Sequence, residues 1–180
     1  MPAPSVPPDD GWFTATVERY ERPLVAYALR YVHDLETARD MAQDVFVKLH
    51  AELSTDRVGI DGKLAQWLFT VCRNRCIDHQ RSHAVSRKDT VDLATQPSPI
   101  DGPETPLVQA ETASQVLAAL AQLPPRQQEV IRLKFHQGLS YADIAAVTEL
   151  SVTNVGFLIS TGLATLRQKF MALIQQEGQA

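Results

Sequence analysis

The 180-residue chain has only two cysteines, Cys72 and Cys76, and eight glycines. Two thiols cannot build a disulfide framework, so folding must rest on an apolar core, which a chain of this length can supply. No apolar run approaches the ~18 residues that a membrane-spanning helix needs. The opening MPAPSVPPDDGW has neither a basic start nor an apolar stretch and does not read as a signal peptide. The expectation is a cytoplasmic protein with reduced thiols and no membrane partner. Period-two alternation is missing and no internal repeat is visible, which leaves helices joined by loops. There is no P-loop, no GxSxG, no HExxH and no carboxylate pair with a plausible pocket. The chain is therefore not expected to be an enzyme or to need a cofactor.

Positive charge is also scarce overall, with 17 lysines and arginines against 21 acidic residues and a net charge of −4. That mean opposes nucleic-acid binding, but the distribution does not. Residues 57–90 hold seven cations against three carboxylates, whereas residues 1–56 carry −5, residues 91–125 carry −4 and residues 126–180 carry +1. Local sign decides what binds where.

What is present is helical periodicity in two blocks. Residues 1–11 read as a disordered tail, and residues 12–87 as a first helical domain. Its first helix carries Phe13, Val17, Tyr20, Leu24, Tyr27, Ala28 and Tyr31 on one face, with Pro23 kinking or restarting it. The second has Ala38, Met41, Ala42, Val45, Phe46, Leu49 and Leu53 at core spacing, while Glu36, Asp40, Asp44 and Lys48 stack on its other side. After the loop STDRVGIDG, a third helix is expected from about Lys63 to Ser82. Leu64, Trp67, Leu68 and Val71 would point inward, and Arg73, Asn74, Arg75, Asp78 and Arg81 outward. Residues 88–112 are acidic, Pro-rich and aperiodic, which marks a flexible linker, and residues 113–176 form a second domain. The fold class expected is all-α, two small helical domains on a flexible linker.

The second domain ends in a helix-turn-helix pattern. Ser140 stands three residues before Asp143 and Ser151 three before Asn154, so each serine can cap a helix. Ile144, Ala145 and Val147, then Val152, Val155, Ile159, Leu163, Leu166 and Phe170, follow at helical spacing around a turn at Thr148-Glu149-Leu150. A short helix, a tight turn and a second capped helix make a DNA-reading geometry. Cys72, Cys76, His79 and His83 have a ligand-like spacing. On one helix, however, they spread over about 16 Å and cannot converge on one tetrahedral ion. Packing cysteines and groove-facing histidines are expected, and no metal. Trp67 reads as a core aromatic or as a base-stacking platform. The Arg73, Arg75 and Arg81 set reads as a solvated face or a phosphate-binding one.

Taken together, RPLVAYALRYVHDLETARDMAQDVFVKLH, AQWLFTVCRNRCIDHQR and LPPRQQEVIRLKFHQGLSYADIAAV, in that order, resemble a bacterial RNA polymerase sigma factor of the sigma-70 family. The short two-domain form resembles the extracytoplasmic-function group, over roughly residues 12–82 and 113–170. The resemblance implies core RNA polymerase and promoter DNA as partners, with an anti-sigma factor or a regulatory kinase as further candidates. It implies polymerase docking through Asp40, Gln43, Asp44 and Val47. It implies that Lys63, Trp67, Arg73, Asn74, Arg75, Asp78, His79 and Arg81 hold the melted minus-ten strand. Ser140, Tyr141, Ser151, Val152, Thr153, Asn154, Phe157, Ser160, Thr161 and Arg167 would meet the minus-thirty-five element through the helix-turn-helix.

The chain departs from the family pattern in two places. Thr37 and Arg39 stand where relatives usually have carboxylates, and phosphorylation of Thr37 would restore the charge. The recognition helix has no cation before Arg167, and Glu149 takes a turn position usually given to glycine. Two alternatives therefore remain at this point: a helix-turn-helix regulator or sigma-like protein that does not itself initiate transcription, and a helical adaptor that binds protein. In the latter, Phe157 and Leu158 pack on another protein.

Overall fold

The computed structural model describes residues 10–53, 62–86 and 115–177, and every regular element among them is an α-helix. The expected linker over residues 88–112, most of the expected tail and most of the loop after the second helix lie outside the described residues. The chain divides into two compact units, Met1–Thr95 and Gln96–Ala180.

In the first unit α1 spans Asp10–Val32, α2 Leu35–Leu53 and α3 Leu64–Ser86. Helix α1 begins inside the stretch read as a tail and passes through Pro23 without restarting. It ends where His33 adopts a left-handed φ of 57° with its N–H donating to Leu29 O at 2.9 Å. Asp34 then starts α2 directly, accepting from the Thr37 N–H at 2.8 Å. The three helices enclose Leu24, Val45, Leu49, Leu68, Phe69 and Cys72, all fully buried. Each such large side chain contributes about 1.5–3 kcal/mol of burial. Phe69, absent from the expected inward set of α3, is the largest of them, and its ring meets that of Tyr27 edge-on at 5.4 Å.

In the second unit, α4 (residues 115–121) precedes α5 (Pro125–Phe135), α6 (Tyr141–Thr148) and α7 (Val152–Glu177). Pro125 sits in the first turn of α5, where its missing N–H costs nothing. The Gln128 amide ties the preceding turn down by donating to Leu123 O at 2.8 Å and to Ala121 O at 3.0 Å. Ala119, Leu120, Leu123, Ile131 and Leu166 form a core cluster with Phe170 against it.

The buried stripe of α7 differs from the expected one. It runs Val155, Ile159, Gly162 and Leu166, while Val152 and Leu163 lie outside it. Gly162 is a close-packing position rather than a mere weak point. A Cβ there would stand 2.6 Å from Ile131 Cδ1 and 3.5 Å from Gln127 Cβ, so its absence lets α5 and α7 approach. Among the described residues no single helix is long and apolar enough to cross a membrane.

Candidate nucleic-acid interface

The first turn of α2 is held by one carboxylate. Asp34 accepts from both the Thr37 N–H and, at 2.6 Å, the Thr37 hydroxyl. These bonds favour the ionised form, the hydroxyl contact most, and hold the Asp34 pKa below its ordinary value of 3.8. Thr37 is thus a half-buried helix-start residue whose hydroxyl is already engaged.

One turn further along, Asp40, Gln43, Asp44 and Val47 are all exposed, Val47 by 69%. Helix α3 lies beside this face. Arg75 of α3 donates through Nη2 to Asp44 Oδ2, which ties a residue of the expected docking set to one of the expected strand-holding set. Shallow grooves flank the pair. One is lined by Met41, Asp44, Arg75, Asp78, His79 and Ser82, the other by Asp44, Lys48, Val71, Asn74, Arg75 and Asp78. Lys48, Met41 and Ser82 were in neither expected set. The i, i+4 step from Asp44 to Lys48 was the available signal for the lysine.

Along α3 the expected outward row divides. Asn74, Arg75, Asp78 and Arg81 are exposed, as is Lys63 in the turn before the helix. Arg81 pairs with Asp78 at 3.7 Å. Arg73 is not outward in the same sense, because it is half-buried and its Nε and Nη1 atoms are enclosed. Its place on the helix edge puts the stem over the core and leaves only part of the head in reach of a ligand. Trp67 is also half-buried.

The cysteines and histidines part company. Cys72 and Cys76 are fully buried, with the Cys76 thiol 3.5 Å from Met41 Sδ. Hydrogen bonding between the two thiols and burial push the Cys72 pKa up, so it stays a thiol. The rings of His79 and His83 meet nearer the surface, 4.2 Å apart and tilted by 43°. Desolvation, then the neighbouring His83, lower the His79 pKa, which keeps that ring neutral near pH 7.

The helix-turn-helix forms from its caps. The Ser140 hydroxyl accepts from the Asp143 N–H at 3.1 Å while the Asp143 carboxylate accepts from the Ser140 N–H at 3.3 Å, a reciprocal capping box. Ser151 accepts from the Asn154 N–H at 3.1 Å. Between them Glu149 ends α6 in the left-handed region at φ 58°, where glycine is the unstrained choice. The exposed face of α7 then carries Val152, Thr153, Phe157 and Ser160, with Arg167 two turns beyond. Asn154 and Thr161 are half-buried, and the Thr161 hydroxyl donates to Phe157 O at 2.8 Å. Tyr141 and Ser140 are exposed at the start of α6.

Comparison with known proteins agrees with this arrangement. The family model for sigma-70 region 2 matches residues 16–85, and that for sigma-70 region 4 matches residues 113–166. The ECF RNA polymerase sigma factor SigL of Mycobacterium tuberculosis is 34% identical over 146 residues, covering 77% of this chain and 76% of that protein. The chain belongs to the extracytoplasmic-function group of the sigma-70 family.

The sigma factor is also similar to the RNA polymerase sigma-H factor of Pseudomonas aeruginosa, at 27% identity over 79% of this chain and 78% of that protein. Among solved structures it resembles CnrH in complex with the cytosolic domain of CnrY, with 26% identity, a TM-score of 0.56 and coverage of 91% and 90%. The fold is shared with the sigma factor RpoE of Bartonella quintana, solved with the anti-sigma factor NepR, at TM-score 0.64, 24% identity and coverage of 87% and 94%. The region 2 match covers all but the ends of the three-helix unit of the sigma factor, and the region 4 match takes in α6 and α7 as far as Leu166. Arg167 and Lys169 lie just past the latter.

Proposed function

We infer that this sigma factor binds core RNA polymerase, directs it to promoters and thereby starts DNA-templated transcription. Polymerase carries out the chemistry. The observation that carries this reading is the ordered match of both sigma regions to two helical units, one bearing a basic helix and the other a helix-turn-helix. A regulator that binds DNA without initiating would need only the second unit, so the alternatives of a free-standing regulator or an adaptor are not favoured.

The residue assignments follow from exposure and charge. Asp40, Gln43, Asp44 and Val47 form the face of α2 offered to polymerase. Lys63, Asn74, Arg75, Asp78, His79 and Arg81, with parts of Trp67 and Arg73, form the surface for the melted minus-ten strand. Cations there hold phosphates, and the amide and ring groups take unstacked bases. The helix-turn-helix reads the minus-thirty-five element. The protein acts in the cytoplasm, where its polymerase and DNA are. The similarity to RpoE, solved with the anti-sigma factor NepR, makes an anti-sigma protein a candidate partner of this chain as well. Thr37 is the position at which a kinase would restore negative charge beside the docking face; the phosphate would gain from the α2 dipole but lose the hydroxyl bond to Asp34 and be repelled by that carboxylate.

The test is direct. Purified protein is titrated against bacterial core polymerase, and transcription is then measured on a library of promoter DNA. Nanomolar binding with promoter-dependent initiation is expected. Absence of both, in protein whose helical content is intact and whether Thr37 is native or Thr37→Asp, would end this reading. If Thr37→Asp binds no better than the native protein, the modification site is wrong.

A further inference from the structure

The first two turns of α7 present a surface unlike one built to hold phosphate. At about 100° per residue, exposed Val152, half-buried Gly156 and exposed Ser160, Thr153 and Phe157 cross that surface in this order, so two apolar side chains border a strip of hydroxyls. Val152 is 50% and Phe157 64% exposed. Gly156 explains part of the shape: a Cβ there would stand 3.6 Å from the Tyr141 ring, so the ring of α6 lies against the glycine and extends the same surface. Lys134, the cation beside Tyr141, stands over that ring at 5.4 Å and donates to Leu139 O at 3.2 Å, so it is engaged within the unit.

Such a face is poorly matched to a protein partner, because the hydroxyls of Ser160 and Thr153 separate Phe157 from Val152 and the Tyr141 ring. It suits the floor of a DNA major groove, where one apolar group is on offer, the thymine C5-methyl, among hydrogen-bonding base edges. The α6–α7 geometry presents the N-terminal turns of the second helix, the part that reaches base edges in a helix-turn-helix.

We infer that the helix-turn-helix recognises its minus-thirty-five element through thymine methyl groups, with Val152 and Phe157 as the apolar contacts and Thr153 and Ser160 bonding to base edges between them. The inference rests on the promoter-reading function above and names how that site discriminates. Its specificity comes from methyl burial and hydroxyl contacts, with little attraction to phosphate. The minus-thirty-five element of this sigma factor accordingly contains thymines on the strand facing each border of the helix.

The experiment uses the full chain with core polymerase. Promoters are selected by the holoenzyme from DNA randomised across the minus-thirty-five region, and each thymine is then replaced by deoxyuridine, which removes only the methyl. At contacted positions binding should fall about fourfold per methyl, the value of burying one such group. Phe157→Ala should abolish the thymine-over-uracil preference at its position and leave that at the Val152 position intact. Since Phe157 is largely exposed, this variant keeps its core. Three results would overturn the inference: selected elements indifferent to uracil, Phe157→Ala weakening thymine and uracil DNA equally, or Phe157→Ala weakening binding to core polymerase without DNA. The last would assign the face to protein contact. A holoenzyme that initiates normally but ignores uracil loses only the methyl readout, whereas a chain unable to initiate at all removes the parent function with it.

Discussion

Helix α3 carries Arg73, Arg75 and Arg81 over fewer than three turns, whereas the exposed face of α7 carries Val152, Thr153, Phe157 and Ser160 and reaches its first cation only at Arg167. Under the proposed function, the difference follows from what each surface would hold. A melted strand is a flexible polyanion whose bases must be kept apart from their partners, so charge and stacking carry the affinity. A duplex groove is already shaped, and neutral contacts suffice to tell one base pair from another once polymerase has brought the helix to it. Attachment to polymerase through α2, as proposed, would supply a proximity that a free-standing regulator would have to replace with phosphate contacts.

The comparison breaks first if the unit bearing the neutral helix is not rigid. Gly162→Leu forces a side chain into the α5–α7 contact against Ile131, and overpacking of that kind costs about 1–3 kcal/mol. Thermal unfolding should show the loss in the second unit. Minus-ten strand binding by the first unit should be untouched.

Removing charge tests the other side. Arg75→Gln with Arg81→Gln should lower the slope of log affinity against log salt by about 1.4 for single-stranded minus-ten DNA, at ~0.7 per phosphate. Arg167→Gln should lower the slope for minus-thirty-five duplex by less than one contact's worth, measured by fluorescence titration across salt.

The Asp44–Arg75 pair joins the proposed docking and strand-holding faces, and both partners are about half exposed. Asp44→Asn frees the guanidinium. It should tighten single-stranded DNA binding of the isolated protein by up to about fivefold, the scale of a surface ion pair of ~1 kcal/mol or less, while weakening polymerase docking. Opposite signs in the two assays are the check.

Smaller still, Glu149→Gly relieves a left-handed residue and removes a carboxylate from the turn. A gain of about 0.5–1 kcal/mol in stability is expected, less than the full strain because glycine loses more chain entropy on folding. Tighter duplex binding should accompany it.

Acid provides the last probe. Because the folded pKa of Asp34 lies below 3.8, its contribution to α2 is complete above the ordinary carboxylate range and fades as pH falls through the folded value. Asp34→Asn should therefore flatten that part of the acid unfolding curve.

Much of this was legible in the residues. Apolar spacing located α2 and most of the core of α1, and serine three residues before a polar side chain located both helix starts of the helix-turn-helix, because caps are local chemistry. The exposure of Asp40 and Asp44 followed from the same periodicity, whereas Gln43 and Val47 were singled out only through the family resemblance. The half-burial of Arg73 and the fully buried Phe69 were missed, since an edge position on a helix is assigned by whichever neighbour packs there. The end of α3 at Ser86, beyond the expected Ser82, depended on a weak apolar pattern with no stop signal.

By itself the order of residues determined that this protein is helical, that its cations gather in one segment, that its recognition helix lacks them, and which family it resembles. These are properties of composition and of contacts within a few residues. Only the tertiary structure decided that Asp44 meets Arg75 across 31 residues of chain, that Gly162 is where two helices close, and that Gly156 seats the ring of Tyr141. Each of those depends on the relative placement of separate helices, which is set by how the whole core fills its space and is written in no local pattern.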